Sequence, residues 1–155
     1  MNNNKIILGL DPGTNIMGFG LIEIQNENIK LIQYGVINLK KYKDHTEKLE
    51  MIFENVNKLI KDYNPNEISI EAPFVGKNVQ SMLKLGRAQG VAMVAGKING
   101  IKISEYAPRK IKKSVTGNGN ASKEQLSEII KKTLNINENI NKKLDASDAL
   151  GAALC

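Results

Sequence analysis

Lys5-Ile6-Ile7-Leu8-Gly9-Leu10-Asp11-Pro12-Gly13 (KIILGLDPG) decides how the chain begins to fold. A short apolar run cut off by Asp-Pro-Gly reads as a buried strand, Lys5–Leu10, stopped by a turn. Working outward, Gly18–Ile24 and Ile29–Leu39 read as two further strands joined around Asn26-Glu27-Asn28. Together the three predict an antiparallel meander.

Beyond the meander the periodicity changes. Over Asp44–Tyr63, Leu49, Ile52, Phe53, Val56, Leu59, Ile60 and Tyr63 recur at helical spacing. Asp44 with Glu47 resembles a capping box, and Asn64-Pro65 ends the helix. Glu67–Ile70 reads as a buried strand ending at Glu71. Asn78–Asn99 is a second long helix, apolar nearly all round and rich in Gly and Ala, which predicts burial against the sheet and against a partner subunit. Ile101–Tyr106 is a fifth strand. Pro108 opens a basic helix through Ser114, and Gly117-Asn118-Gly119-Asn120 is a loop. Ser122 with Gln125 caps a helix to about Leu134. An Asn-rich connection, Asn135–Asn141, precedes a last helix around Asp145–Leu154. The order βββαβαβαα predicts an α/β fold, a mixed sheet with helices on its faces. No repeat or linker divides the chain, so residues 1–155 read as one domain.

Bulk properties bound the function. The chain has 155 residues, 41% hydrophobic and 25% charged, an ordinary globular composition. No apolar run reaches the roughly 18 residues that a membrane span needs. The N-terminus shows no signal-peptide pattern. Cys155, the single cysteine, has no partner for an internal disulfide. These features predict a cytoplasmic protein. The formal charge of +6 suits nucleic acid or another anionic surface, and carries weight only where the positive residues flank a chemical site.

Four carboxylates stand where surface charge is unusual. Asp11 and Glu71 each end a buried strand. Asp145 and Asp148 lie at i and i+3 on a helix otherwise made of Ala, Leu and Gly. Carboxylates that converge in a partly buried place repel one another, and divalent metal resolves the conflict. Mg²⁺ prefers such oxygens, and two ions about 3.5–4 Å apart can activate water and stabilise a leaving oxygen. With no His/Cys cluster, structural zinc does not fit. Each residue also has a plainer reading. Asp11 can shape the turn, Glu71 can be a strand-end surface charge, and Asp145 can be a helix cap. Asp148, inside an apolar helix, resists such a reading.

Five segments carry a resemblance that covers nearly the whole chain. They are Ile7–Gly13 (ILGLDPG), Ile70–Asn78 (IEAPFVGKN), Leu83–Gly90 (LKLGRAQG), Tyr106–Lys123 (YAPRKIKKSVTGNGNASK) and Asp145–Ala149 (DASDA). In this order they resemble the RuvC-type Holliday junction resolvases. The resemblance implies an RNase H-like fold with a five-stranded mixed sheet flanked by helices. It implies a homodimer that nicks two strands of a four-way junction symmetrically, in recombination and repair, alongside the RuvA–RuvB branch-migration complex. It makes Asp11, Glu71, Asp145 and Asp148 the catalytic, metal-binding carboxylates. They would hold two Mg²⁺, with Mn²⁺ as a substitute, for a hydrolysis leaving 5′-phosphate and 3′-hydroxyl ends.

The same resemblance gives Phe74 a base-stacking role near the exchange point, against the plainer reading that it packs in the core. Lys77 and Asn78 flank it. Lys112 and Lys123 match positions facing the DNA backbone, and Arg109, Lys110 and Lys113 thicken that patch, where a solvated helix face is the plainer reading. Arg87 fits either DNA or a partner subunit. His45 reads as a surface residue and Tyr106 as core. Two departures stand out. Ala72-Pro73 replaces the longer polar residues usual after the strand glutamate, which stiffens the presentation of Phe74. Relatives also continue past the equivalent of Cys155, so the last helix is expected to fray and to loosen Asp145 and Asp148. Rival readings are a nuclease of structured RNA, a junction-binding scaffold without catalysis, and an actin-like ATPase module, for which the chain is short.

Overall fold

The computed structural model describes residues 3–73, 75–138, 140 and 144–155. Strands β1 (Lys5–Asp11), β2 (Ile16–Gln25) and β3 (Asn28–Asn38) form the expected antiparallel meander. Asn26 and Glu27 join β2 to β3, both with positive φ (46° and 72°), the backbone that a tight hairpin needs to match strand twist. Strand β4 (Glu67–Glu71) lies parallel beside β1, and β5 (Lys102–Tyr106) lies parallel beside β4. The sheet order is β3-β2-β1-β4-β5, a five-stranded mixed sheet.

Helix α1 (His45–Tyr63) is capped by Asp44, whose carboxylate takes the Thr46 N–H at 3.2 Å and the Thr46 hydroxyl at 3.0 Å. The cap is the expected one, although its bonds go to Thr46 rather than to Glu47. Asn64, left-handed at φ 47°, ends the helix before Pro65. Helix α2 (Val79–Ile98) crosses from β4 to β5. It buries a face of small residues, Ala88, Ala92, Ala95 and Gly96, and leaves Val79, Leu83, Val94 and Ile98 exposed. Helix α3 (Pro108–Thr116) starts on its proline and runs two residues past the expected end, to the left-handed cap Gly117. Helix α4 (Lys123–Thr133) has the expected capping box, with Gln125 N–H to Ser122 Oγ at 3.1 Å and Ser122 N–H to Gln125 Oε1 at 2.8 Å. Helix α5 is Leu144–Leu154, so Asp145 sits inside its first turn rather than at its cap.

The sheet carries a core on each face. Leu8, Leu10, Ile68 and Ile70 pack with Ile52 and Val56 of α1 and with Ala88 and Ala92 of α2. Ile7 and Ile22 point the other way, onto Leu126 and Ile130 of α4 and Leu150 of α5. This is the two-residue alternation of strands buried on both faces. No described helix is long and apolar enough to cross a membrane.

Candidate active site

Strand register sets the first two carboxylates side by side. Leu10 pairs with Ile70 between parallel strands, so Asp11 and Glu71, the next residues, leave the same end of the sheet together. The third comes from α5, which lies directly on β1 and β2. That approach depends on glycine. A methyl group at Gly9 would strike the Ala149 carbonyl, and one at Gly18 would strike the Asp145 carbonyl. Gly18 is itself the β2 partner of Asp11, so the same contact that seats α5 brings its acidic turn beside Asp11. One carboxylate oxygen each from Asp11, Glu71 and Asp148 lie within 4.8 Å of one another. Asp145 lines the same cavity, of 530 Å³, but does not join this three-oxygen cluster.

Burial and mutual repulsion govern the electrostatics. Asp11 is held well above its ordinary range, first by burial and then by Glu71 and Asp148. Glu71 is pushed up to about 7, first by burial and then by Asp148. Asp148 is raised by burial despite Lys123, whose Nζ stands 3.6 Å from its carboxylate. Lys123 is raised in turn, chiefly by Asp148. Lys112 also lines the cavity and lowers Glu71 and Asp148 slightly. Two lysines therefore leave the carboxylates under-neutralised. Three oxygen donors without His or Cys fit a hard divalent cation.

The structure divides the expected DNA-contact residues. Lys112 and Lys123 line the cavity. Arg109 is exposed and lays its side chain over Gly119, and Lys113 is exposed near the end of α3. Lys110 sits over the Tyr106 ring at 5.1 Å. Lys77 is exposed outside the cavity lining, and Asn78 is the N-cap of α2, accepting the Ser81 N–H at 3.1 Å. Phe74 lies outside the described residues.

The sequence alone passes over one residue of the site and places another differently. Gln89 is 7% exposed and lines the cavity, and its Nε2 has no hydrogen-bond partner among the described residues. An amide set among alanines and glycines on a buried helix face was the available signal, because polar groups there are normally paired. His45, expected on the surface, is half-buried at the start of α1, and its Nε2 is covered and has no hydrogen-bond partner among the described residues.

Comparisons with known proteins agree with this geometry. The family model for crossover junction endodeoxyribonuclease RuvC matches residues 7–155. A crossover junction endodeoxyribonuclease RuvC of Christiangramia forsetii is 57% identical over 155 residues, covering 100% of this chain and 80% of that one. The protein of the same description in Cytophaga hutchinsonii is 60% identical over 152 residues, covering 98% and 76%. Among solved structures, Thermus thermophilus RuvC in complex with Holliday junction substrate superposes with a TM-score of 0.87 at 24% identity, over 97% of this chain and 91% of that one. That likeness shows the expected RNase H-like fold.

Proposed function

The chain belongs to the RuvC family of crossover junction endodeoxyribonucleases and resolves four-way DNA junctions; we propose that it does so with Asp11, Glu71, Asp145 and Asp148 as its catalytic carboxylates. The observation that carries this reading is the meeting of Asp11, Glu71 and Asp148 oxygens within 4.8 Å, from three separate elements. Asp145 completes the set from the cavity wall one turn away on α5. Divalent metal, when bound there, supplies the charge that activates water and steadies the leaving oxygen. Mg²⁺ fits the all-oxygen donors, and Mn²⁺ accepts the same set. Two ions per site would serve a hydrolysis leaving 5′-phosphate and 3′-hydroxyl ends.

The chain's own cations have a distinct task. Carboxylates in this number repel a phosphodiester, and Lys112 and Lys123 on the cavity wall offset that repulsion and draw the scissile phosphate inward. Arg109, Lys113, Lys77 and Asn78 extend the contact along the backbone, and Phe74 stacks on an unpaired base. Residues 1–155 act as one nuclease domain. Two copies form a homodimer whose sites nick opposite strands, in the cytoplasm, with the RuvA–RuvB complex as partner. The exposed apolar row on α2 supports the dimer.

The test is cleavage of a synthetic four-way junction with and without Mg²⁺. Wild type should cut in pairs only with metal and should leave structured RNA intact. Asp11→Asn and Glu71→Gln should bind the junction and fail to cut it. Near-normal cutting by either variant would reject the site.

A further inference from the structure

Beside the carboxylate cavity lies a second, of 640 Å³, with basic walls. Lys40 and Lys43 reach it from the segment between β3 and α1, Lys48 from α1 and Lys84 from α2. Among the described residues none of these four lysines makes an ion pair. Lys48 Nζ donates to Asn15 Oδ1 at 3.1 Å, which leaves its charge uncompensated. His45 adds a covered Nε2 without a hydrogen-bond partner among the described residues. Four ammonium groups around one hollow repel each other. Asp145 is the acidic residue of the lining, so the four lysines outnumber it.

The two cavities are contiguous. Gly13, Ile16, Leu85 and Asp145 line both. Lys112 and Lys123 line only the carboxylate cavity. A strand whose scissile phosphate sits at the carboxylates must carry its neighbouring phosphates past a wall of that cavity. Beyond the shared wall, where Asp145 is the charged residue, the charges it meets are the lysines.

We propose that the cavity of Lys40, Lys43, Lys48 and Lys84 is a second phosphate-binding track, which grips the DNA backbone beyond the scissile phosphate across the Gly13–Ile16 and Leu85 wall. Its ligand is a run of backbone phosphates, read without regard to base. The inference rests on the nuclease reading for its ligand but not for its test. Each phosphate neutralised by a lysine releases condensed counterions, so binding through this track adds to the salt dependence of affinity.

The experiment uses the full chain with Asp11→Asn, so that the junction stays whole. Affinity for a four-way junction is measured from low to moderate salt, with and without Lys40→Gln, Lys43→Gln and Lys84→Gln together. Lys48 is kept because it ties to Asn15. The slope of log affinity against log salt should fall by about 2–3, on the order of 0.9 for each lost contact. The control triple Lys30→Gln, Lys58→Gln and Lys61→Gln, which lines neither cavity, should leave the slope in place. An unmoved slope in the cavity triple, with melting as in the parent, would overturn the track. In chains with Asp11 intact, the cavity triple should raise KM for the junction and leave kcat close to the parent's. Loss of the slope in a protein that never cuts junctions would sink the nuclease reading and keep the track. Intact cutting with an unmoved slope would sink the track alone.

Discussion

At the scale of single residues, the site is a set of acids held against their own chemistry. Asp11, Glu71 and Asp148 are all raised, first by burial and then by neighbouring acids (Glu71 and Asp148 on Asp11, Asp148 on Glu71, Asp145 on Asp148), and Glu71 reaches about 7. Raised acids keep protons in the folded state at a pH where the unfolded chain has lost them. The native state then binds more protons, so stability falls as pH rises from the ordinary carboxylate range through about 7. Without divalent metal, the melting temperature should therefore drop between pH 5 and pH 8, on the order of 5 °C for a chain of this size. Adding Mg²⁺ at pH 8 should recover it, because the ion binds only where the carboxylates are gathered. Glu71→Gln should flatten the pH profile, since the amide has no proton to lose. Thermal melts of the two proteins in chelator and in Mg²⁺ read this directly. A wild-type profile as flat as that of the variant would mean that the acids do not crowd as described.

At the scale of elements, the decisive contact is α5 on the meander. A methyl group at Gly18 would meet the backbone of Asp145 and Ala146, which cannot swing aside as a side chain can. Gly18→Ala should push the first turn of α5 away from Asp11. A displacement of about 1 Å at a reacting centre costs on the order of 100-fold in rate. Cleavage should fall by that order while junction affinity, proposed to rest on lysines away from this contact, holds. Wild-type cleavage by Gly18→Ala would show that α5 is not seated through this glycine. The sequence displays part of this arrangement and hides the rest. The strand stop at Asp11-Pro12-Gly13 and the Ser122/Gln125 box are local signals, complete within a few residues, and the structure keeps both. Gly9 and Gly18 look like ordinary strand glycines until α5 is laid across them, because the partner backbone is more than a hundred residues away. The i, i+3 spacing of Asp145 and Asp148 suggests one shared direction. Three helical steps leave about 60° between them, enough to put Asp148 in the oxygen cluster and Asp145 on the wall between two cavities. Gln89 and the Lys40–Lys84 hollow were harder still to foresee, since each depends on which face of a helix the sheet covers.

At the scale of the whole molecule, α2 is the element left unfinished. It gives its small residues to the core and turns Val79, Leu83, Val94 and Ile98 to solvent, each at least half exposed. Isolated apolar residues on a surface are ordinary, but four along one helix make a patch. Between them lie Gly86 and Gly90, where an added Cβ would meet nothing within 4 Å in the protomer. Bare backbone flanked by apolar side chains is what a second copy of the same helix could approach closely, and a two-fold axis makes such a surface its own complement. Beside it, Leu49, Phe53, Arg87, Val91 and Val94 line a shallow hollow that could take a side chain of a second copy. Gly90→Glu tests this. The substitution has room within one protomer, so the melting of the isolated fold should barely move, but two copies would bring like charges together. Sedimentation should show a dimer for wild type at micromolar concentration and a monomer for Gly90→Glu. The monomer should make single nicks where the dimer makes pairs, because one active site reaches only one strand. A wild-type monomer under these conditions, or a Gly90→Glu protein that stays dimeric, would place the subunit contact somewhere other than α2.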